Sequence, residues 1–432
     1  MQVKKLVLAL AVAVVAPSAF AVDLSTGVTA DNIMYVTGAT AQTKGIAIAV
    51  GKLCGTNPLI TLTDGAAVPV GRGWKCDSAA STTYPNLPGV TGPFVVLKNE
   101  GGSLNAITPL RNGSTQTQLD ISNCTLATAT TGTCPTLVPK PEYIGFADVS
   151  SKIFAAKGQL VAQTAGNTYV GDIAVGAGQG FGIVVSPALY TLLQADQGTA
   201  GVPSISKAQY ASLMTQTAGF WSNLLPNGTA HAALPLTLAR RSLTSGTQAS
   251  AEVFFLENPC AKGPVAGSIS ALAGNAAGQS FVDGADTLIV KQESSSDAVL
   301  ADAASATAYV IGVVSLENPQ PASSWKFVAI DGVFPGTANA PEFQKKNLVN
   351  GRYAYAFETV LFKSTKSTLS AAILNNINDF SNAFVADLGV GANLTTSNGL
   401  FGDPAALSAD FGADTSHYTR TGNECATPIW AF

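Results

Sequence analysis

The stretch LARRSLTSGTQASAEVFFL, residues 238–256, reads as the end of a β-strand, a tight polar turn and the start of a helix. Leu238 and Ala239 close a largely apolar run that begins at Leu234. Ser245, Gly246 and Thr247 stand where a helix N-terminus begins, and residues 249–256 continue as helix. A helix start leaves backbone N–H groups unpaired and carries a partial positive charge, so it suits an anion. Two hydroxyls add donors, and Gly246 lets an anion approach the backbone closely. Arg241, ahead of Ser245, offers a guanidinium fork to an oxyanion. Taken alone, the same residues also suit an ordinary N-cap beside an arginine, so the turn gains weight only from the rest of the chain.

Composition bounds that reading. A chain of 432 residues suits two lobes, and 47% hydrophobic residues suffice for packed cores. Charged residues make up 12% and the net charge is −4, which leaves no broad basic footprint and argues against nucleic acid as a partner. Lys4 and Lys5, an apolar run over residues 6–15 and the small-x-small site Ala19-Phe20-Ala21 form a secretory signal peptide, residues 1–21. The mature chain is expected to begin near Val22, with no cysteine there to carry a lipid anchor, and to be periplasmic or secreted. Export makes disulfides the default for the six cysteines. Proximity in sequence suggests Cys54–Cys76 and Cys124–Cys134, which leaves Cys260–Cys425. Zinc is disfavoured: there is no CxxC pair, and neither His231 nor His417 has a cysteine at ligand spacing. No metal or cofactor is implied.

Along the chain, strands alternate with helices. Residues 32–36 read as a strand, 37–42 as a small polar turn and 45–53 as a helix, a second strand–turn–helix unit. Further strands are expected at 94–98, 143–148, 180–185, 287–290, 309–315 and 327–330, and a helix at 369–382. Residues 55–90 read as loop, and the Thr-rich segment 112–139 as a surface excursion. The alternation predicts an α/β fold with largely parallel pairing and flanking helices. In such sheets ligands bind beyond the carboxyl ends of strands. Four polar turns follow strands here, at 37–42, 99–103, 145–148 and 241–247, and describe one converging anion site.

The order of these motifs resembles the periplasmic phosphate-binding proteins of ABC importers. Thr37-Gly38-Ala39-Thr40-Ala41 is similar to the family's early TGAxAT turn, Gly101-Gly102-Ser103 to its Ser/Gly turn, and Gly145-Phe146-Ala147-Asp148 to its Gly-x-Ser-Asp element. Arg241 through Thr247 matches the spacing of its Arg-x-x-x-Ser-Gly-Thr motif. Residues 311–314, 330–335 and 350–353 also resemble familial segments, so the likeness runs through most of the mature chain. It implies a two-lobe type II periplasmic-binding-protein fold, with mixed sheets flanked by helices. Residues 22–175 and 316–432 would form one lobe and residues 176–315 the other. It further implies that Thr40, Ser103, Asp148, Arg241, Ser245, Gly246 and Thr247 line the anion site. Arg241 would pair with the oxyanion, and Asp148 would accept a proton from a protonated ligand oxygen. The chain departs from the family at Leu243, where typical members carry the acid that orients the arginine, and at Ala41, often aromatic there.

Three functions follow for comparison. The first is a monomeric solute-binding protein for phosphate or a similar oxyanion, serving phosphate transport through an ABC importer's membrane subunits. The second is a secreted phosphoester hydrolase, opposed by the two histidines, the lack of a GxSxG elbow and the lack of a metal-ligand cluster, so the chain is read as no enzyme. The third is a surface or periplasmic interaction protein on the same fold, with anion binding weak or lost.

Overall fold

One strand, Tyr169–Val185, ties the two halves of the molecule together. The computed structural model describes residues 21–260, 279–318, 320–321, 323–336, 345–394, 399–402 and 414–430. The long strand pairs antiparallel with Ala356–Ser364 over its first part and with Tyr309–Ser315 over Phe181 to Val185. Its register shifts between Val170 and Ile173 and again between Ala174 and Gly178. Asp172 (φ 49°) and Gly176 (φ 73°) adopt the left-handed backbone there, which bends the strand from one half into the other.

A sixteen-stranded mixed sheet spreads from this strand in both directions. On one side lie Ala356–Ser364, Ile144–Ala147, Ile33–Gly38, Phe94–Asn99, Gly71–Cys76 and Leu59–Thr63, followed by three short strands. On the other lie Tyr309–Ser315, Leu236–Arg241, Asp286–Glu293 and Gln279–Asp283.

Two hydrophobic cores form, one per half. In the first, helix Thr43–Cys54 presents Ile46, Ala49, Val50 and Leu53, the i, i+3, i+4, i+7 face of an amphipathic helix. Helix Ala371–Leu388 presents Ile377, Phe380, Phe384 and Leu388 beside it. Phe380 and Phe384 meet Phe94 and Phe146 edge-on, with ring centroids 5.4 and 5.5 Å apart. The second core packs helices Pro187–Gln197, Lys207–Thr215, Gly246–Leu256 and Ser296–Ala303 on the other half of the sheet. The chain changes core at the polar turns. Leu97 belongs to the first core and Leu104 to the second; Phe146 belongs to the first and Ala147 to the second. The turns after those strands therefore stand where the two halves meet. Among the described residues no helix is long and apolar enough to cross a membrane.

The expected α/β class, mixed sheet and flanking helices are present, but antiparallel pairings outnumber parallel ones, against the largely parallel expectation. The long strand and Ala356–Ser364 run antiparallel to their neighbours and sit at the centre of the sheet. Residues 55–90 are no loop. Leu59–Thr63 and Gly71–Cys76 are sheet strands, and Thr83–Tyr84 pairs with Leu87–Thr91. Glycines weaken the strand signal, yet Gly71 and Gly73 are where Leu119 and Leu97 pack against the backbone. The Thr-rich segment is likewise built in: Thr131–Thr133 pairs with Leu59–Thr63, and Gln116–Leu119 pairs with Leu137–Lys140. Threonine is β-branched and favours strands, so its abundance marked extended backbone and not looseness. Disulfides join Cys54–Cys76, Cys124–Cys134 and Cys260–Cys425. Residues 1–20 of the expected leader lie outside the described residues.

Candidate functional site

The site is built from the strand ends upward. Strand Ile33–Gly38 ends at Gly38, whose backbone is left-handed (φ 115°) and so close to the next strand that a Cβ would stand 2.1 Å from the Phe146 carbonyl oxygen. Only glycine fits both demands. The turn is then held on two sides: the Ala39 N–H donates to that same carbonyl at 2.8 Å, and the Gly101 N–H donates to the Gly38 carbonyl at 3.1 Å. Three residues on, Gln42 donates from Nε2 to Asp148 Oδ1 at 3.0 Å.

The turn after strand Phe94–Asn99 arrives from the side. Ser103 Oγ accepts the Asp148 N–H at 3.0 Å, and the Leu104 N–H donates to the Thr244 carbonyl at 3.0 Å. The turn after strand Leu236–Arg241 closes the group. A Cβ on Gly246 would fall 2.0 Å from Ser103 Oγ and 2.7 Å from Asp148 Oδ2. All four turns thus meet around Asp148.

Asp148 is 1% exposed and caps no helix; Ser150 caps Ser151–Ala156 instead, accepting the Lys152 N–H at 3.1 Å. Burial pushes the Asp148 carboxyl up to about 6, against the Gln42 hydrogen bond and the charges of Arg241 and Lys98. Arg241 is 2% exposed. Its Nη1 donates to Ser296 Oγ at 2.9 Å and its Nη2 to the Ser294 carbonyl at 3.0 Å, while its buried Nε has no partner among the described residues. Burial pulls this guanidinium down to about 10, and Asp148, then Asp297, Glu100 and Glu293, hold it up. The start of helix Ser296–Ala303 aims the guanidinium, and carboxylates on other elements supply the charge.

Not every expected residue joins this group. Ser103, Asp148 and Gly246 pack together, and Arg241 reaches this group through its charge on Asp148. Ser245 serves its own helix, accepting the Gln248 N–H at 3.4 Å. Thr247 is buried one residue behind Gly246. Beside Arg241, Thr247 and Gln248 the open space is about 10 Å³. That is room for about one water. Thr40 stands apart, on the wall of a separate cavity of about 140 Å³. Ser296 joins the two places, since its hydroxyl accepts from Arg241 and it also lines the cavity.

Several site residues escaped sequence reasoning. Lys98 is wholly buried and pairs with Glu100 at 2.7 Å; Arg72 reaches the other Glu100 oxygen at 3.0 Å. Thr43 Oγ1 donates to the same carboxylate at 2.8 Å. Glu317 is 6% exposed, on the cavity wall just past strand Tyr309–Ser315. Burial pushes its carboxyl up to about 8, with Lys44 pulling it down and Glu100 and Asp148 pushing it further up. One signal was available: Lys98-Asn99-Glu100 sets two charges at the end of an apolar strand, where buried ions need partners. Among the described residues no group of three or more His, Cys, Asp or Glu could hold a metal ion.

Fold and site together define a mixed α/β protein with two cores astride one sheet, and a buried, charge-paired polar cluster where the cores meet. No protein-family model and no curated protein matches the chain. Among solved structures it is similar to an ABC-type phosphate transport receptor from Vibrio cholerae, with TM-score 0.39 and 12% identity over 84% of this chain and 96% of that one. It is also similar to PstS from Borrelia burgdorferi, with TM-score 0.33 and 11% identity over 81% and 92% of the two chains. A possible phosphate binding protein from Planctomyces limnophilus matches with TM-score 0.32 and 13% identity over 60% and 76%.

Proposed function

We propose that this chain is an exported solute-binding protein that closes two lobes on a small protonated oxyanion, phosphate or a close analogue, for delivery to an ABC importer. In this reading residues 22–175 and 316–432 form one lobe and residues 176–315 the other. The observation that carries it is Arg241. A guanidinium 2% exposed, whose Nε has no acceptor among the described residues, lies within the electrostatic reach of the buried Asp148 carboxylate. An oxyanion supplies the missing acceptor and gains the charge of Arg241 and the N–H groups at the start of helix Gly246–Leu256. Asp148, ionised, accepts only; it takes a hydrogen bond from a protonated ligand oxygen and repels a fully deprotonated anion such as sulfate. The three disulfides fit an oxidising compartment, periplasmic or secreted.

The test is a thermal-shift panel on oxidised protein refolded to strip bound ligand, with phosphate, arsenate and sulfate. A ligand at about 100 times its dissociation constant stabilises the native state by about 2.7 kcal/mol. Phosphate is expected to raise the melting point and sulfate is not, and Arg241→Ala removes the shift. A shift that survives in Arg241→Ala defeats the site assignment.

One observation favours a second reading, an interaction protein in which anion binding is lost. The space beside Arg241 is only about 10 Å³, and elsewhere in the cluster Ser103 and Asp148 stand directly against Gly246. Absence of a shift with every oxyanion selects that reading.

A further inference from the structure

The cavity of about 140 Å³ next to the oxyanion cluster is about ten times what one water needs, and nothing in an inorganic oxyanion would fill it. Its wall chemistry is specific. The cations on it are engaged: Arg72 holds Glu100, and Lys44 Nζ donates to the Glu317 main-chain carbonyl. Glu100 is saturated by Arg72, Lys98 and Thr43. Glu317 is different. Among the described residues its Oε1 receives only a long contact from Ser315 Oγ at 3.5 Å, and its buried Oε2 has no hydrogen-bond partner. Asp297, on the same wall, is half-exposed and reaches Arg72 only at 3.9 Å. The unfilled valence of this cavity is therefore an acceptor. A buried carboxylate without a partner is costly and takes either a proton or a cation. Ser296 borders both places, lining this cavity and accepting from Arg241 Nη1.

Resting on the oxyanion reading above, we propose that the solute is a zwitterion: an oxyanion held at Arg241 joined by a short chain to an ammonium group that enters the cavity and pairs with Glu317 and Asp297. An aminoalkyl phosphate or phosphonate has this form. A second anionic group would face the Glu317 and Asp297 carboxylates and is rejected. A bulky substituent such as a nucleoside exceeds the cavity.

Isothermal titration of the full oxidised chain, stripped by unfolding and refolding, tests this at about pH 9, above the value of about 8 to which burial pushes Glu317, with three probes: inorganic phosphate, phosphoethanolamine and phosphoglycolate. Phosphoethanolamine is expected to bind at least about tenfold tighter than either of the others, a margin a single desolvated ion pair supplies. Glu317→Gln is expected to shrink its advantage over phosphate to within about twofold, and Arg241→Ala to remove binding of all three. Phosphate binding as tightly as phosphoethanolamine overturns the inference and leaves the oxyanion reading standing; so does tighter binding of phosphoglycolate. No binding of any probe overturns both. The comparison of probes on the unaltered protein decides the matter even where Glu317→Gln fails to fold.

Discussion

Gly246→Ala puts the contact between the turns to a direct test. Gly246 has no left-handed φ, so the substitution costs nothing in backbone strain. What it costs is space. The new methyl group would lie 2.0 Å from Ser103 Oγ, 2.7 Å from Asp148 Oδ2 and 2.9 Å from Asp148 Cβ. Neither neighbour is a loose surface chain, since Ser103 Oγ holds the Asp148 N–H and Asp148 Oδ1 holds Gln42. Overpacking of a buried site costs about 1–3 kcal/mol. Replacing glycine by alanine recovers about 0.4–1 kcal/mol by restricting the unfolded chain. The contact at 2.0 Å puts the first term near its upper end, so the net loss should be about 1–2 kcal/mol. Urea denaturation followed by tryptophan fluorescence reads it as a lower midpoint at unchanged slope. The double variant Ser103→Ala/Gly246→Ala removes the nearest atom, and its loss should be smaller than the sum of the two single losses by about 0.5 kcal/mol or more. A neutral or stabilising Gly246→Ala, or strictly additive losses, would refute the claim that these turns touch.

Other consequences can be measured alongside. Because burial raises Asp148 to about 6 from an unfolded value near 3.8, the unfolded state gives up that proton first; its contribution is present below the unfolded value and is lost as pH rises from about 4 to about 6. Asp148→Asn should therefore flatten the fall in stability across that window, and a fall of unchanged steepness would show that Asp148 does not titrate there. Lys98→Met leaves Glu100 buried with Arg72 and Thr43 as its remaining partners, so the loss should be near the low end of the roughly 3–5 kcal/mol seen for broken buried pairs, read by the same denaturation midpoint. Cys260→Ser/Cys425→Ser opens a link between residues 165 apart, and urea titration should show a loss of about 2–5 kcal/mol.

The units that were legible from sequence were local ones. Strand Leu236–Arg241, the cap at Ser245 and helix Gly246–Leu256 could be read because capping chemistry and helical periodicity involve residues within a few positions of each other. The same holds for helices Thr43–Cys54 and Ala371–Leu388, although the second runs to Leu388 and not to residue 382. The cysteine pairs were readable because two were close in sequence and the third was what remained.

Only tertiary structure decided the rest. Whether a Gly- or Thr-rich segment becomes a sheet strand depends on a partner strand that composition does not name, so Leu59–Thr63 and Thr131–Thr133 looked like loop until they paired. The long strand Tyr169–Val185 was visible only in its last six residues, because glycines and bulges erase its alternation. The aiming of Arg241 by Ser294 and Ser296 joins residues more than fifty apart in sequence. Glu317 lies far from Glu100 and Thr40 in sequence, yet all three share one cavity. Motif spacing states which groups are available for chemistry; the volume between them, and whether each lone pair and N–H there is already satisfied, is a sum over non-local contacts that exists only once the two halves pack.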